Sequence, residues 1–281
     1  MSSLIIGLLG LYYFTKLQEG QRLSLLNFGP NNLAALLEIN LPFVIIMVYN
    51  AFSKNLSIIY KIISGGAALL CMFALVATGS RGALIGFFAG LVILFLIKIK
   101  IAKQWRFNIK KLSVTMLIGI CLVGGMFLKT DFQLVRSYDM ERVRLVHSSY
   151  NMWNDNKLFG VGLNNWAENY KKIYILPDAK EKDLDFPHNT LVYFFSTAGV
   201  IGGIGFLIFT FGMIVFLINS LKLDSKNIYI QAMIWAFIAF SIHGLFDLGF
   251  LMKQSERLIF TYLGITCGNI IFKDYYLNKD Q

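Results

Sequence analysis

The sequence predicts an all-α membrane protein: a polytopic bundle of about eight transmembrane helices with one large loop. Three observations carry this. Hydrophobic residues make up 56% of the 281 residues and charged residues 15%, against about 25% charged in soluble domains. Several apolar runs reach the roughly 20 residues that cross a ~30 Å hydrocarbon core. The basic residues behind the net charge of +10 sit mostly between those runs, as the positive-inside rule requires. The same placement argues against a nucleic-acid partner, because no basic face is interleaved with exposed aromatics.

The apolar runs are 3–15, 31–52, 57–78, 82–101, 112–128, 189–219, 228–250 and 257–273. The first reads as a short or truncated helix. No basic residue precedes it and no small-residue cleavage site follows, so it does not read as a signal peptide. The run 189–219 is long enough to tilt or to project beyond the bilayer. Cys71, Cys121 and Cys267 lie inside apolar runs without metal-type spacing and read as small buried hydrophobes. The chain divides into N-terminal transmembrane helices (1–128), a loop (129–187) and C-terminal transmembrane helices (188–281).

Orientation follows from Lys and Arg in the short connections. With the N-terminus cytoplasmic, the inside segments hold twelve: Lys54, Lys61, Lys98, Lys100, Lys103, Arg106, Lys110, Lys111, Lys222, Lys226, Lys273 and Lys279. The short outside segments hold five: Lys16, Arg22, Arg81, Lys253 and Arg257. This excess predicts that both termini are cytoplasmic. The loop 129–187 is then non-cytoplasmic, with nine basic and nine acidic residues. Within it Met140, Val143, Val146, Tyr150 and Trp153 recur at spacings of three and four. They predict an amphipathic helix lying against the membrane or the bundle. Gly160 to Asn165 reads as a turn.

Five clusters carry chemistry. Thr78-Gly79-Ser80-Arg81-Gly82 places an Arg among small residues, where a phosphate or carboxylate can approach its planar fork. An Arg snorkelling to lipid headgroups is the alternative. Gly82, Gly86 and Gly90 form a stripe on which another helix can pack closely. His188-Asn189 offers an imidazole, a general base near neutral pH, at the membrane boundary; an interfacial His hydrogen-bonded to loop backbone is the alternative. His243 and Asp247 are four residues apart and predict one helix face, either lining a polar cavity or forming a satisfied buried pair. Glu38 is an ionisable group inside a span, a functional candidate by default and an argument for transport; a structural hydrogen bond is its alternative. Asp183-Leu184-Asp185 is a DxD triplet, which holds a divalent metal in nucleotide-sugar transferases. Lys180, Glu181 and Lys182 around it read as a solvated loop, short of the oxygen ligands that a hard cation needs. No metal ligand is therefore assigned.

Together these segments resemble the O-antigen ligase and polymerase superfamily of bacterial envelope enzymes. Thr78-Gly79-Ser80-Arg81-Gly82 looks like the family's "TGSRG" helix entry. His188-Asn189, nine residues and then Gly199-x-x-Gly202 is similar to its ligase motif. Arg142, followed by Trp153 and Gly160-Val161-Gly162-Leu163, resembles its loop pattern ending in "GVGL". Phe28-Gly29-Pro30-Asn31-Asn32-Leu33-Ala34 resembles its "GPN.LA" entry. The matches run in order over residues 28–250. The family's usual Pro before "GVG" is replaced by Lys157-Leu158-Phe159. Relatives usually have about a dozen spans, so the resemblance implies a shortened member, a fragment or a mis-started reading frame.

The resemblance implies a GT-C-like glycosyltransferase of the bacterial cytoplasmic (inner) membrane, working on its non-cytoplasmic face. Such an enzyme takes a glycan from an undecaprenyl-pyrophosphate carrier and passes it to a hydroxyl of lipid A core or of another glycan, without metal or cofactor. Arg81, Arg142 and His188 are then the catalytic residues. Ser80, Asn189, His243 and Asp247 are substrate-binding residues. Ligase and polymerase share the donor, and the sequence does not name the acceptor. The rival expectations are a transporter or flippase using Glu38, or an inactive fragment of such a transferase.

Overall fold

The computed structural model describes residues 2–26, 28–102 and 139–277, and the described residues are helical with no named strand. The elements are α1 (Ser2–Phe14), α2 (Pro30–Ser53), α3 (Ile58–Ala77), α4 (Arg81–Ala102), α5 (Asp139–Asp155), α6 (Trp166–Asn169), α7 (Thr190–Leu223), α8 (Ile228–His243) and α9 (Lys253–Leu277). Four helices are long and apolar enough to cross a membrane: α2, α3, α7 and the stretch Arg81–Ile101 of α4. Helices α1 and α8 are apolar but shorter. The expected span 112–128, together with Cys121, lies outside the described residues. The protein is thus an α-helical membrane protein.

Local chemistry sets where these helices start. Pro30 occupies the first turn of α2 behind Gly29, where its missing N–H costs nothing. Ser57 caps α3, accepting from Tyr60 N. Asn189 caps α7, accepting from Val192 N at 3.0 Å, and Asn227 caps α8, accepting from Tyr229 N and Ile230 N. Such caps satisfy amide groups that the first turn cannot pair internally.

The main core joins α2, α3, α4, α8 and α9. Helix α8 lies at its centre, buried along most of its length. The glycine stripe does what its spacing predicts. A Cβ at Gly86 would lie 2.4 Å from Ala239 O, and one at Gly90 would lie 2.8 Å from Trp235 O. Backbone therefore meets backbone along the α4–α8 seam. Trp235 Nε1 reaches across it to donate to Phe87 O at 2.7 Å. Tyr262 on α9 donates to Asn40 Oδ1 on α2 at 2.6 Å. The outer flank of α7 exposes Ile201, Ile208 and Phe211, which an apolar solvent permits.

A second, smaller core builds a cap over one end of the bundle from Leu145, Met152, Trp166, Tyr170, Tyr193 and Leu248. Trp166 stacks on Tyr170 with centroids 4.9 Å apart, and its Nε1 donates to Ser149 Oγ at 2.9 Å. The helix predicted within the loop is present as α5. Its buried face, however, is Glu141, Leu145, Ser148, Ser149 and Met152. Of the predicted apolar stripe, Met140, Val143 and Tyr150 face outward, at 57%, 59% and 55% exposure, while Trp153 meets Phe195 of α7 edge to face.

The cap is joined to α7 through backbone. Within α7, Gly199 adopts φ 65° and ψ −162°, which breaks the helix. The turn at 157–162 enters that break. Val161 N donates to Ser196 O and Gly162 N to Thr197 O, both at 2.9 Å, while Val200 N donates to Lys157 O at 2.8 Å. Gly160 (φ 66°) has no room for a side chain, since a Cβ would lie 2.4 Å from Thr197 C. The "GVGL" and "GxxG" segments are therefore two halves of one contact.

Candidate active site

The candidate residues meet where the cap sits on the bundle. Gly79, at φ 59°, makes the tight turn that carries the chain from α3 to α4. Thr78 Oγ1 donates to Leu75 O at 2.6 Å and accepts from Ser80 N at 3.3 Å. This leaves Arg81 at the head of α4, where it forms an ion pair with Asp139 at the head of α5. Arg22, in the link between α1 and α2, donates from Nε to Thr78 O at 2.7 Å and from Nη2 to Asn31 Oδ1 at 2.6 Å.

The residue His188 precedes α7 in the left-handed region, at φ 51°, a conformation that costs energy outside glycine. Its Nδ1 lies 3.3 Å from Asp247 Oδ1. Asp247 Oδ1 also accepts from Leu248 N at 2.8 Å. Three hydrogen bonds fasten the start of α7 to the turn after α8: Thr190 N to Gly244 O at 2.8 Å, Asn189 Nδ2 to Leu245 O at 2.8 Å, and Thr190 Oγ1 to Asp247 O at 3.1 Å. The Asn189 amide is thus engaged at both ends, as cap and as fastener.

The side chains of His243 and Asp247 do not pair with each other; each has a different partner. Helix α8 ends at His243, and Asp247 lies in the turn beyond, aimed at His188. His243 instead places Nδ1 2.7 Å from Glu38 Oε1 and Nε2 3.4 Å from Ser80 Oγ. Gly82 makes room for this ring, since a Cβ there would lie 3.0 Å from His243 Cδ2.

A small polar cleft of about 20 Å³ is lined by Arg22, Asn31, Gly79, Ser80, Arg81, Gly82, Arg142, His243, Phe246 and Asp247. Three guanidiniums therefore face one small space. Arg81, Arg142, Ser80, His243 and Asp247 line it together; His188 reaches its edge through Asp247. Arg22 and Asn31 belong to the cleft but were not singled out from the sequence. Asn31 could have been, because it stands in the helix-entry motif at 28–34. Arg22 carried no signal beyond its charge.

Below Arg142, α5 is fixed by Glu141. One carboxylate oxygen accepts from Lys180 N at 3.0 Å and Glu181 N at 3.3 Å, and the other pairs with Arg144. Burial works against ionisation of this carboxyl. The two amides and the guanidinium outweigh it, and its pKa lies below the ordinary value. Asp183 and Asp185 are exposed and pair with Lys171. Among the described residues no group of three or more His, Cys, Asp or Glu is placed to hold a metal ion.

A helical membrane protein with a cationic cleft under a small helical cap is the class that fold and site define. The O-antigen ligase family model matches residues 66–207, just over half of the chain. The protein belongs to that family, whose general activity is ligase-type glycan transfer. The matched region spans Ser80, Arg81, Arg142, His188 and the interlocked glycines, while Glu38 and His243 lie outside it. No curated protein matches the chain.

Proposed function

We propose that this protein transfers a glycan from an undecaprenyl-pyrophosphate carrier to an acceptor hydroxyl. The reaction takes place at the non-cytoplasmic face of the bacterial cytoplasmic membrane, in a bundle of about eight spans with both termini cytoplasmic. The observation that carries this reading is the convergence of Arg22, Arg81 and Arg142 on one cleft, with the His188–Asp247 pair at its edge.

In this reading Arg81 and Arg142 clamp the diphosphate, and Arg22 adds a third charge. They stabilise the negative charge that grows as the anomeric carbon–oxygen bond breaks. Asp247 fixes His188 through Nδ1, which leaves Nε2 for the acceptor. The acceptor oxygen bonds to the anomeric carbon as its proton passes to His188 Nε2, and the lipid pyrophosphate leaves. A single displacement of this kind inverts the anomeric centre. Arg81 is ion-paired with Asp139, so an entering diphosphate competes with that carboxylate for the guanidinium. The acceptor is lipid A core for a ligase and another glycan for a polymerase.

The test is transfer in membranes supplied with lipid-linked glycan. His188→Ala and Arg81→Ala are each expected to slow transfer by roughly 10²–10⁴. Near wild-type rates in both variants, at normal expression, would refute the mechanism. Surface glycans from a deletion strain then divide the acceptor classes. Loss of chain length marks a polymerase, and loss of attachment marks a ligase.

A further inference from the structure

The transfer scheme leaves Glu38 unused. Its side chain is fully buried in α2. One carboxylate oxygen meets His243 Nδ1 at 2.7 Å, and the other has no hydrogen-bond partner among the described residues. His243 Nε2 faces Ser80 Oγ at 3.4 Å, and Ser80 stands on the cleft wall. A chain of three groups therefore runs from a buried acid to the surface of the cleft. It shares no side-chain hydrogen bond with the His188–Asp247 pair.

With Glu38 ionised, hydrogens can be placed along this chain in two ways. With a neutral imidazole held by a carboxylate, Nδ1–H points to Glu38 and Nε2 accepts from Ser80, so the hydroxyl hydrogen turns away from the cleft. With an imidazolium, Nε2–H donates to Ser80 Oγ, and the hydroxyl hydrogen is released toward the cleft. Only the second arrangement offers an anion a donor.

The charges around His243 link these states to occupancy. Glu38 from α2 and Asp247 from the following turn favour the imidazolium, and His188 adjoins it through Asp247. Arg142 from α5, Arg81 from α4 and Arg22 share the cleft with His243 and oppose a further positive charge. An anion in the cleft neutralises the guanidiniums and removes that opposition.

We propose that Glu38, His243 and Ser80 make anion binding in this cleft proton-coupled: a diphosphate is held by the Ser80 hydroxyl while His243 takes up a proton. Ser80 touches the ligand; His243 and Glu38 are positioning residues. The proposal rests on the reading of the cleft as the diphosphate site.

The test uses the full chain in detergent and P1,P2-dimethyl pyrophosphate, a diester that stays dianionic near neutral pH and so does not titrate itself. Affinity is measured from about pH 5.5 to 8.5, across the range where imidazoles titrate. Wild-type affinity is expected to fall as pH rises, by up to about tenfold per unit for one coupled proton. Calorimetry in two buffers should count that proton as taken up. His243→Gln should flatten the profile. Glu38→Gln should move the fall to lower pH, because the imidazolium loses its counter-charge. Ser80→Ala should weaken binding about tenfold at the acid end. Should His243→Gln fail to fold, the wild-type proton count and Ser80→Ala decide the matter. A flat wild-type profile overturns the proposal. So does a slope that survives His243→Gln and vanishes in His188→Gln. In both cases the diphosphate site itself stands. No binding at any pH overturns that site as well.

Discussion

Along the α4–α8 seam, Gly86 and Gly90 let one unbroken helix lie against another. At the break in α7, Gly199 lets a loop enter a helix. The clearances are alike: a Cβ would lie 2.4 Å from Ala239 O at Gly86 and 2.1 Å from Leu158 O at Gly199. The chemistry differs. In the seam, glycine only brings surfaces into dispersion contact. At Gly199, it also supplies a positive φ and opens backbone groups that the loop then satisfies. The seam holds the bundle together, whereas the interlock holds the cap over the cleft. The comparison teaches that small residues in one membrane protein can serve adhesion in one place and backbone exchange in another.

Substitutions separate the two uses. Gly199→Ala should have the largest effect, on the order of 3 kcal/mol or more, because it combines a strained φ with overlap onto Leu158. Denaturant unfolding in detergent measures the loss. Trypsin should cut faster at Lys157 to Lys182 as the cap detaches. Gly86→Ala should cost about 1–3 kcal/mol through overpacking alone, and cap proteolysis should stay at its wild-type rate. If both variants open the cap equally, the two regions are not independent. Glu141→Gln should cost about 1.5 kcal/mol at neutral pH, the worth of a hydrogen bond to a charged group. The carboxyl of Glu141 titrates below its ordinary value in the folded protein. Its contribution is therefore complete above the unfolded pKa and disappears as pH falls through the folded one. Stability curves of wild type and Glu141→Gln should converge in acid; a constant gap would show that the ionised form contributes nothing. Gly205→Ala, where a Cβ meets nothing within 4 Å, should stay within about 1 kcal/mol of wild type, on the stabilising side.

Much of this architecture was readable in the chain. Apolar length marked α2, α3, α4 and α7, because lipid demands long internally paired segments. The four-residue glycine spacing marked the seam. Helix α5 was readable as a helix, but not its inward face. Spacing shows which residues share a face, not what that face meets. Inside the cap the neighbours are amide groups and the Trp166 indole, so Glu141 and Ser149 turn inward while Met140, Val143 and Tyr150 turn out. Arg81, Arg142 and His188 were legible as reactive types in motifs. The partners of Arg81 and His188 were not, since Asp139 and Asp247 reach them across 58 and 59 residues of chain, and Glu38 reaches His243 across 205. Glu38 was conspicuous alone, yet its link to Ser80 exists only through the fold.

The break in α7 bears on how the protein is made. In an unbroken helix Ser196 O would accept from Val200 N. Here the turn supplies both replacements: Val161 N serves Ser196 O, and Lys157 O serves Val200 N. The 34 residues of α7 would span about 51 Å as a straight rod, well beyond a hydrocarbon core of about 30 Å. During synthesis the segment 157–162 emerges first and has no partner until α7 follows. The nascent helix can thus enter the bilayer whole and bend afterwards, when the waiting turn docks. The backbone bonds that hold the cap therefore form only after α7 has been made.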